Sequence, residues 1–430
     1  MSVPSLPWLA DFARGDWAGG LVRLRAALGD TPDHPEARRH LGLALEATGD
    51  PAGAEACFRA LLAERPGDAD LLVDLGSVLA AAGRDDEAAS CFDTALAVVP
   101  DHLRANGAKA LLALRRGDFA EGWQRFEVRW RTPYYRAIDR GFPHPPWRGA
   151  EPLAGRTLFL HAEHAFGDTI QFCRYARLAA DAGARVVLEV QPALAELLAG
   201  LDPRVRVMAR GCPLPAFDLH CPLLSLPRAF GTTVATIPAE PAYLAAEPAR
   251  IVRMRRLVPA LERAGLKVGV AWAGNPYPGD PAAQLVDRRR SIAPAALAPL
   301  GEIPGVTLVS LQAGPAAGAP DRPGGEALVD PMGAVRDFAD TAAVVAGLDL
   351  VVTVDTAVAH LAGALGRPVW LLDRFDHCWR WLRGRTDSPW YPQLTIFRQP
   401  RPGDWTVPIA QAAAALAAFS NPCPPGPAMR

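Results

Sequence analysis

Glycines 15, 49, 83 and 117 recur every 34 residues, and three further series keep the same register. These are Pro32, Pro66 and Pro100; Phe58, Phe92 and Phe126 with Leu24 one period earlier; and Gly20, Ala54, Ala88 and Gly122. Four series in one register mark an internal repeat. A unit of this length cannot bury its apolar face alone, so successive units must stack into a helical array. Cys57 and Cys91 occupy equivalent positions beside the repeated phenylalanines and read as core packing.

A small residue facing an aromatic, a Gly-Asp or Gly-Arg turn and a closing proline resemble the tetratricopeptide repeat, one helical pair per unit, over about residues 1–136. Gly42, Gly76 and Ala54 would let paired helices approach closely, and the phenylalanines would fill the gap to the next unit. The resemblance implies a groove for a protein or peptide. The Pro-rich text "YYRAIDRGFPHPPWRG" closes the array and gives a linker over 137–152. Beyond it, "RTLFLHAE", "DTIQFCRYARLAADAG" and "ARVVLEVQ" read as strand, helix ending at Gly183, and strand, a parallel βαβ unit in a domain spanning 153–250. A second α/β domain spans 251–419, with strands "LKVGVAWAG", "GVTLVSLQAG", "LDLVVTV" and "RPVWLL" and the closing helix "DWTVPIAQAAAALAAF". Residues 420–430 read as a disordered tail. The fold expected is thus a helical solenoid followed by two Rossmann-like α/β domains with a cleft between them.

With 430 residues, there is room for several cores. A formal net charge of -1 gives no global attraction to nucleic acid or an anionic membrane, so any polyanion must be held locally. Seven cysteines without paired spacing suggest a reducing compartment. The N-terminal text lacks a basic region followed by an apolar one, and no uncharged run reaches the ~18 residues a spanning helix needs. A soluble, cytoplasmic protein without a transmembrane segment is expected.

Three junctions carry candidate chemistry. In "DLVVTVDTAVAH" a strand stops at Asp355-Thr356 and a helix follows at once, with His360 one turn in. A helix N-terminus at the carboxyl edge of a parallel sheet suits a phosphate, and His360 could donate to a phosphate or a ribose hydroxyl. The bland alternative is a cap with His360 packed beneath a loop. "WAGNP", Trp272 to Pro276, leaves Gly274 open to close approach, and "DRRRSI" places three arginines before a helix expected to begin near Ser291. Arginine forks match phosphate oxygens, although a charge run also suits a solvated face. In "HAEHAFGDTIQF", Gly167-Asp168 introduces a helix after the first strand, where a carboxylate could take a proton from an acceptor hydroxyl or simply cap its helix. No G-x-G-x-x-G follows that strand, which argues against a dinucleotide oxidoreductase. Asp68-Ala-Asp70, the single Asp-x-Asp, lies in the repeats, and His220-Cys221 has no zinc spacing, so no metal site is expected.

These segments, with "FDLHCPLLSLPRAFGTT", "VSLQAG", "DFADTAAVVAGLDLVVTVDTAVAHLAGALGRPVW" and "DSPWYP", resemble the bacterial glycosyltransferase family of the ADP-heptose:lipopolysaccharide heptosyltransferases, in the branch with N-terminal tetratricopeptide repeats. The resemblance covers about residues 145–408. It implies a GT-B fold whose first domain takes the acceptor and whose second takes a nucleotide-sugar donor, with inverting transfer that needs no metal or other cofactor. Asp168 matches the base, with His164, Gly167 and Thr169 in the acceptor-side loop. Asp355, Thr356, Ala357, Val358 and His360 match the diphosphate and ribose segment. Arg290 and Ser291 stand near the phosphates, Gly274 and Asn275 on the donor side, and Gln312 where the base or ribose is contacted.

The chain also departs from that branch. Ala162-Glu-His-Ala-Phe-Gly-Asp168 stands where the branch commonly has a Gly-rich loop, Ala313 where it has a lysine, and "YPGDPAAQLV" lengthens a donor-side loop. "DRFDHCWRWL" replaces a more apolar segment. Trp379, Trp381, Trp390 and Tyr391 fall near the cleft edge, where aromatic faces can stack on sugars or simply pack. Trp381 reads as packing and Trp390 is open. The expected function is a glycosyltransferase acting on a protein or glycan, with the repeats binding the acceptor or a partner. The rival is a repeat scaffold whose transferase half has lost activity.

Overall fold

A computed structural model describes residues 6–275 and 280–420. Part of the "YPGDPAAQLV" insert and nearly all of the tail read as disordered lie outside these residues. The chain forms two compact units. One runs to Asp139 and includes Asn275–Arg289 and Phe375–Trp379; the other comprises Arg140–Gly274, Arg290–Arg374 and the chain from Arg380 onward.

The first unit pairs helices Pro7–Ala13 with Trp17–Asp30, Pro35–Thr48 with Pro51–Glu64, Ala69–Ala81 with Asp85–Val98, and Leu103–Arg116 with Phe119–Phe126. The 34-residue glycines sit at the turn inside each pair, with φ of 78°, 92°, 77° and 87° for Gly15, Gly49, Gly83 and Gly117. A left-handed residue there ends the first helix without a Cβ penalty. The second helix then restarts on a side-chain cap: Asp16, Asp50 and Asp118 accept from Gly19, Gly53 and Glu121 N–H groups. Gly42 and Gly76 are small because Phe58 and Phe92 lie on them. A β-carbon at Gly76 would stand 2.5 Å from Phe92 Cε1.

Two segments read from sequence as parts of the 251–419 domain cluster with the repeats instead. Arg289 donates to Glu46 at 3.0 Å and to Asp376 at 2.9 Å, the Trp379 ring meets Trp123 edge-on at 5.1 Å, and Gln284 lies against Gly15. The helix expected from Ser291 is also displaced. The three arginines form the last turn of a helix, Pro281–Arg290, where cations oppose the negative end of the dipole. The chain is then extended at Ala293, before Pro294, and resumes as a 3-10 turn, Pro294–Leu297.

The second unit holds two parallel sheets. Strands β1 (Thr157–His161), β2 (Arg185–Val190), β3 (Val205–Ala209) and β4 (Leu219–Pro222) are ordered β3-β2-β1-β4. Strands β5 (Leu266–Ala271), β6 (Val306–Ser310), β7 (Leu350–Val354), β8 (Val369–Asp373) and β9 (Leu394–Arg398) are ordered β6-β5-β7-β8-β9. β7 is buried throughout, as its uncharged run requires. These are the two Rossmann-like layers of a GT-B architecture. The strand order reverses between β1 and β4 in one sheet and between β5 and β7 in the other, and ligands of such sheets bind outside the carboxyl ends at those points. One face of the first sheet is covered by the linker: Phe142 packs on Phe159 and Phe217, and Trp147 N–H donates to His220 O at 2.7 Å.

Phe92 is 1% exposed, so Phe92→Ala should lower the unfolding free energy of the repeats by about 3–5 kcal/mol, read as a shift in the urea midpoint of the helical signal.

Candidate functional site

The helix expected over 168–183 is two helices, Phe166–Phe172 and Tyr175–Asp181. Side chains take the carbonyls that would continue the first one: Arg174 Nε donates to Gln171 O at 2.8 Å and Tyr243 Oη to Ile170 O at 2.8 Å. Asp168 therefore lies in the first turn rather than at the cap, and its Oδ2 accepts the Ala165 N–H at 3.2 Å.

The first turn of this helix meets the helix that follows β7, Ala357–Ala364. Gly167 makes the approach possible, since a β-carbon there would stand 2.8 Å from His360 Cδ2 and 3.5 Å from Ala357 Cα. The two motifs read 190 residues apart in the sequence thus face each other across the carboxyl edges of both sheets.

At the end of β7, Thr356 caps the second helix, its Oγ1 accepting from Val358 N–H at 3.3 Å. Arg290 Nη1 donates to the Asp355 carbonyl at 3.1 Å, which brings the "DRRRSI" and "DTAVAH" motifs together. Gly274 N–H reaches Ser291 Oγ at 3.4 Å, and Ile292 N–H donates to Trp272 O at 2.8 Å. Asn275 is exposed and clusters with the repeat unit. Gln312 is a brace: its Oε1 accepts from the Trp272 and Ala273 N–H groups at 2.9 Å each, and its Nε2 donates to Ala273 O at 3.1 Å and Ala313 O at 2.8 Å. With both ends of its amide bonded to backbone, it fixes the end of β5.

His360 is 4% exposed, stacks on Trp381 at 5.5 Å and shares a 2.9 Å hydrogen bond between Nδ1 and Tyr391 Oη. Burial, reinforced by the positive charge of Arg380, pushes its pKa down to about 4. Trp381, Trp390 and Tyr391 are each 0% exposed, so their faces serve packing. Trp390 meets Phe172 edge-on at 5.7 Å.

Asp168 has partners that sequence reasoning missed. Arg380 donates through Nη2 to its Oδ1 and through Nε to Gln171 Oε1, the latter at 2.6 Å. His164 Nδ1 lies 2.9 Å from its Oδ2. Burial alone would raise the Asp168 pKa, but the Arg380 charge and the His164 hydrogen bond hold it well below the usual carboxylate range. Thr169 is buried, with its Oγ1 donating to Gln191 Oε1 at 2.9 Å. The signal for Arg380 was present in "DRFDHCWRWL", which put an arginine among tryptophans where an apolar segment was expected. At the end of β8, Asp373 is wholly buried beside Arg398, and burial lifts its pKa to about 7. Among the described residues no group of three or more His, Cys, Asp or Glu is placed to hold a metal ion, and no helix is long and apolar enough to cross a membrane.

His360 is held neutral in the fold but protonates near pH 6.5 when unfolded, so its contribution is full above that pH and falls as pH drops toward 4. From pH 7 to pH 5 this should remove about 2 kcal/mol of unfolding free energy from the α/β unit. Urea titrations should show the loss in the wild type and not in His360→Gln.

Residues 9–69 and 45–112 match tetratricopeptide-repeat profiles, and residues 335–372 match that of glycosyltransferase family 9 (heptosyltransferase). The last span contains the Asp355–His360 junction. Protein FlbA of Caulobacter vibrioides is 28% identical over 339 residues, which span 73% of this chain and 55% of FlbA. The chain therefore spans about half the length of that curated relative. Among solved structures, the glycosyl transferase family 9 protein of Veillonella parvula is 10% identical with a TM-score of 0.46, covering 63% of this chain and 100% of its own. A mutant O-GlcNAc transferase of Thermobaculum terrenum is 17% identical with a TM-score of 0.33, covering 98% of this chain and 93% of its own. The chain thus carries tetratricopeptide-repeat matches within residues 9–112 and a segment, residues 335–372, that is similar to glycosyltransferase family 9.

Proposed function

We propose that this domain moves a sugar from a nucleotide-sugar donor to a protein or glycan acceptor, with inversion at the anomeric carbon, without a metal, and with the repeats holding the acceptor or a partner. The observation that carries the reading is the meeting of two helix first turns at Gly167, Ala357 and His360, at the carboxyl edges of both sheets. One turn carries the proton-accepting side, Asp168 with His164. The other carries the anion-favouring helix start beside Arg290.

In this mechanism the acceptor oxygen attacks the anomeric carbon as the bond to the nucleotide diphosphate breaks. Negative charge grows on the leaving phosphate, where the helix N-terminus and the Arg290 guanidinium stabilise it. Arginine supplies the cation that a bound metal would otherwise provide.

The test is the melting temperature with UDP, GDP, ADP and CMP at millimolar concentration. One nucleotide should raise it clearly, and Arg290→Gln should weaken that nucleotide's affinity about 10- to 100-fold, the loss of one or two charge-assisted hydrogen bonds. If none of the four shifts the transition, the donor site fails and a scaffold role for the domain takes its place.

A further inference from the structure

Asp168 is poorly disposed to take a proton. Its Oδ1 accepts from Arg380, and its Oδ2 accepts from the Ala165 N–H and from His164 Nδ1. Its side chain is 13% exposed, whereas that of His164 is 40% exposed. To act as the base, Asp168 would have to protonate while an arginine neutralises it, the arrangement that most weakens a carboxylate as a base.

We propose that His164, oriented by Asp168, is the group that takes the proton from the acceptor hydroxyl. This rests on the transferase reading above. With Asp168 ionised, His164 Nδ1 is the donor in their hydrogen bond, which leaves the lone pair on Nε2. The same relation of a carboxylate to one ring nitrogen prepares the other in hydrolytic triads, where the carboxylate fixes the tautomer and stabilises the imidazolium. Arg380, anchored on Gln171, holds Asp168 in place and is a positioning residue. The backbone of the loop is pinned as well: Gln191 Nε2 donates to His164 O at 2.8 Å, and Gln191 Oε1 accepts from Thr169.

The step balances simply. The acceptor O–H proton passes to His164 Nε2 as the oxygen forms its bond to the anomeric carbon. The bond from that carbon to the phosphate oxygen breaks, and its electron pair leaves with the nucleoside diphosphate. The imidazolium then loses its proton to water. The charged and titratable groups around the imidazole are Asp168 on the following helix, Glu163 in the same loop and Arg380 from the Trp379–Trp381 turn; His360 on the facing helix is neutral. Burial and Arg380 lower the His164 pKa, but the hydrogen bond and charge of Asp168, helped by Glu163, leave it raised.

The test uses the whole chain and hydrolysis of UDP-N-acetylglucosamine, GDP-mannose or ADP-glucose, chosen by the nucleotide that shifts the melting temperature. His164→Gln should lower kcat about 100-fold while leaving the KM for the donor within twofold. The wild-type rate should rise with pH through a histidine titration. That limb should vanish in His164→Gln and move to lower pH in Asp168→Asn. A nitrogen-detected NMR titration of the His164 ring gives a readout independent of turnover: its midpoint should lie above 6.5 and fall in Asp168→Asn. Wild-type kcat in His164→Gln, with kcat lost in Asp168→Asn, would assign the proton to Asp168 and overturn the proposal while the transferase reading stands. No nucleotide shift in the wild type would overturn that reading itself.

Discussion

The buried guanidinium of Arg174 ties the α/β unit together. It is 3% exposed, and its hydrogen bonds go to the carbonyls of Gln171, Pro238 and Trp390 and to the Tyr243 hydroxyl, at 2.8 to 2.9 Å. The Tyr243 and Tyr391 rings lie 4.3 and 4.8 Å from its carbon. An arginine cannot shed its charge by titration, so each of these acceptors must stay where it is or leave a buried cation uncompensated. This requirement breaks the helix at Cys173 and thereby sets where the Asp168 helix ends. It also fixes Trp390 and Tyr391 against the end of the Phe166–Phe172 helix. Tyr391 in turn holds His360, and His360 sets how closely Gly167 can approach. The facing of the two helix starts is thus a consequence of solvating one charge with protein dipoles.

The repeats were legible because their period is long, exact in register and expressed in residues that backbone geometry selects: glycine for a left-handed turn, a small residue under a ring. Strands β1, β2 and β5 to β8 were legible as apolar runs, whereas β3, β4 and β9 were not read from the sequence. The pairing of a strand end with a helix start at Asp355-Thr356 was legible too. What the sequence concealed were partnerships across long chain separations. Arg380 lies 212 residues from Asp168, and no local pattern announces the pair. In the sequence the run of three arginines reads as preceding a helix that begins near Ser291. The structure makes it a helix end, where the dipole favours cations. Gln312 matches a base- or ribose-contacting position of the family the chain resembles, and no local pattern announces that its amide also braces the end of β5.

The segments that joined the repeat unit show the same limit in another form. Sequence order assigned Asn275–Arg289 and Phe375–Trp379 to the second sheet, since both interrupt it. Their side chains follow a different logic: Arg289 is held between Glu46 and Asp376, and Trp379 packs on Trp123. Burial pushes the Glu46 carboxyl up against the pull of Arg289, which marks this ion pair as one removed from water. Elements that look like loops of one domain can therefore belong energetically to another, and composition alone does not decide which.

The neutrality of His360 has a bearing on how the two halves of the site respond to acidity. Among the described residues, Arg290 stands against the start of the Ala357–Ala364 helix, and His360, packed there, stays uncharged down to about pH 4. On the proposed reading, the attraction for a phosphate on that side would be nearly constant across the physiological range. On the same reading the acceptor side carries the His164 imidazole, whose pKa is raised by its hydrogen bond to Asp168 and which gains charge on acidification. Acidification would therefore separate capture of the anion from the proton transfer that follows, leaving the domain loaded but slow.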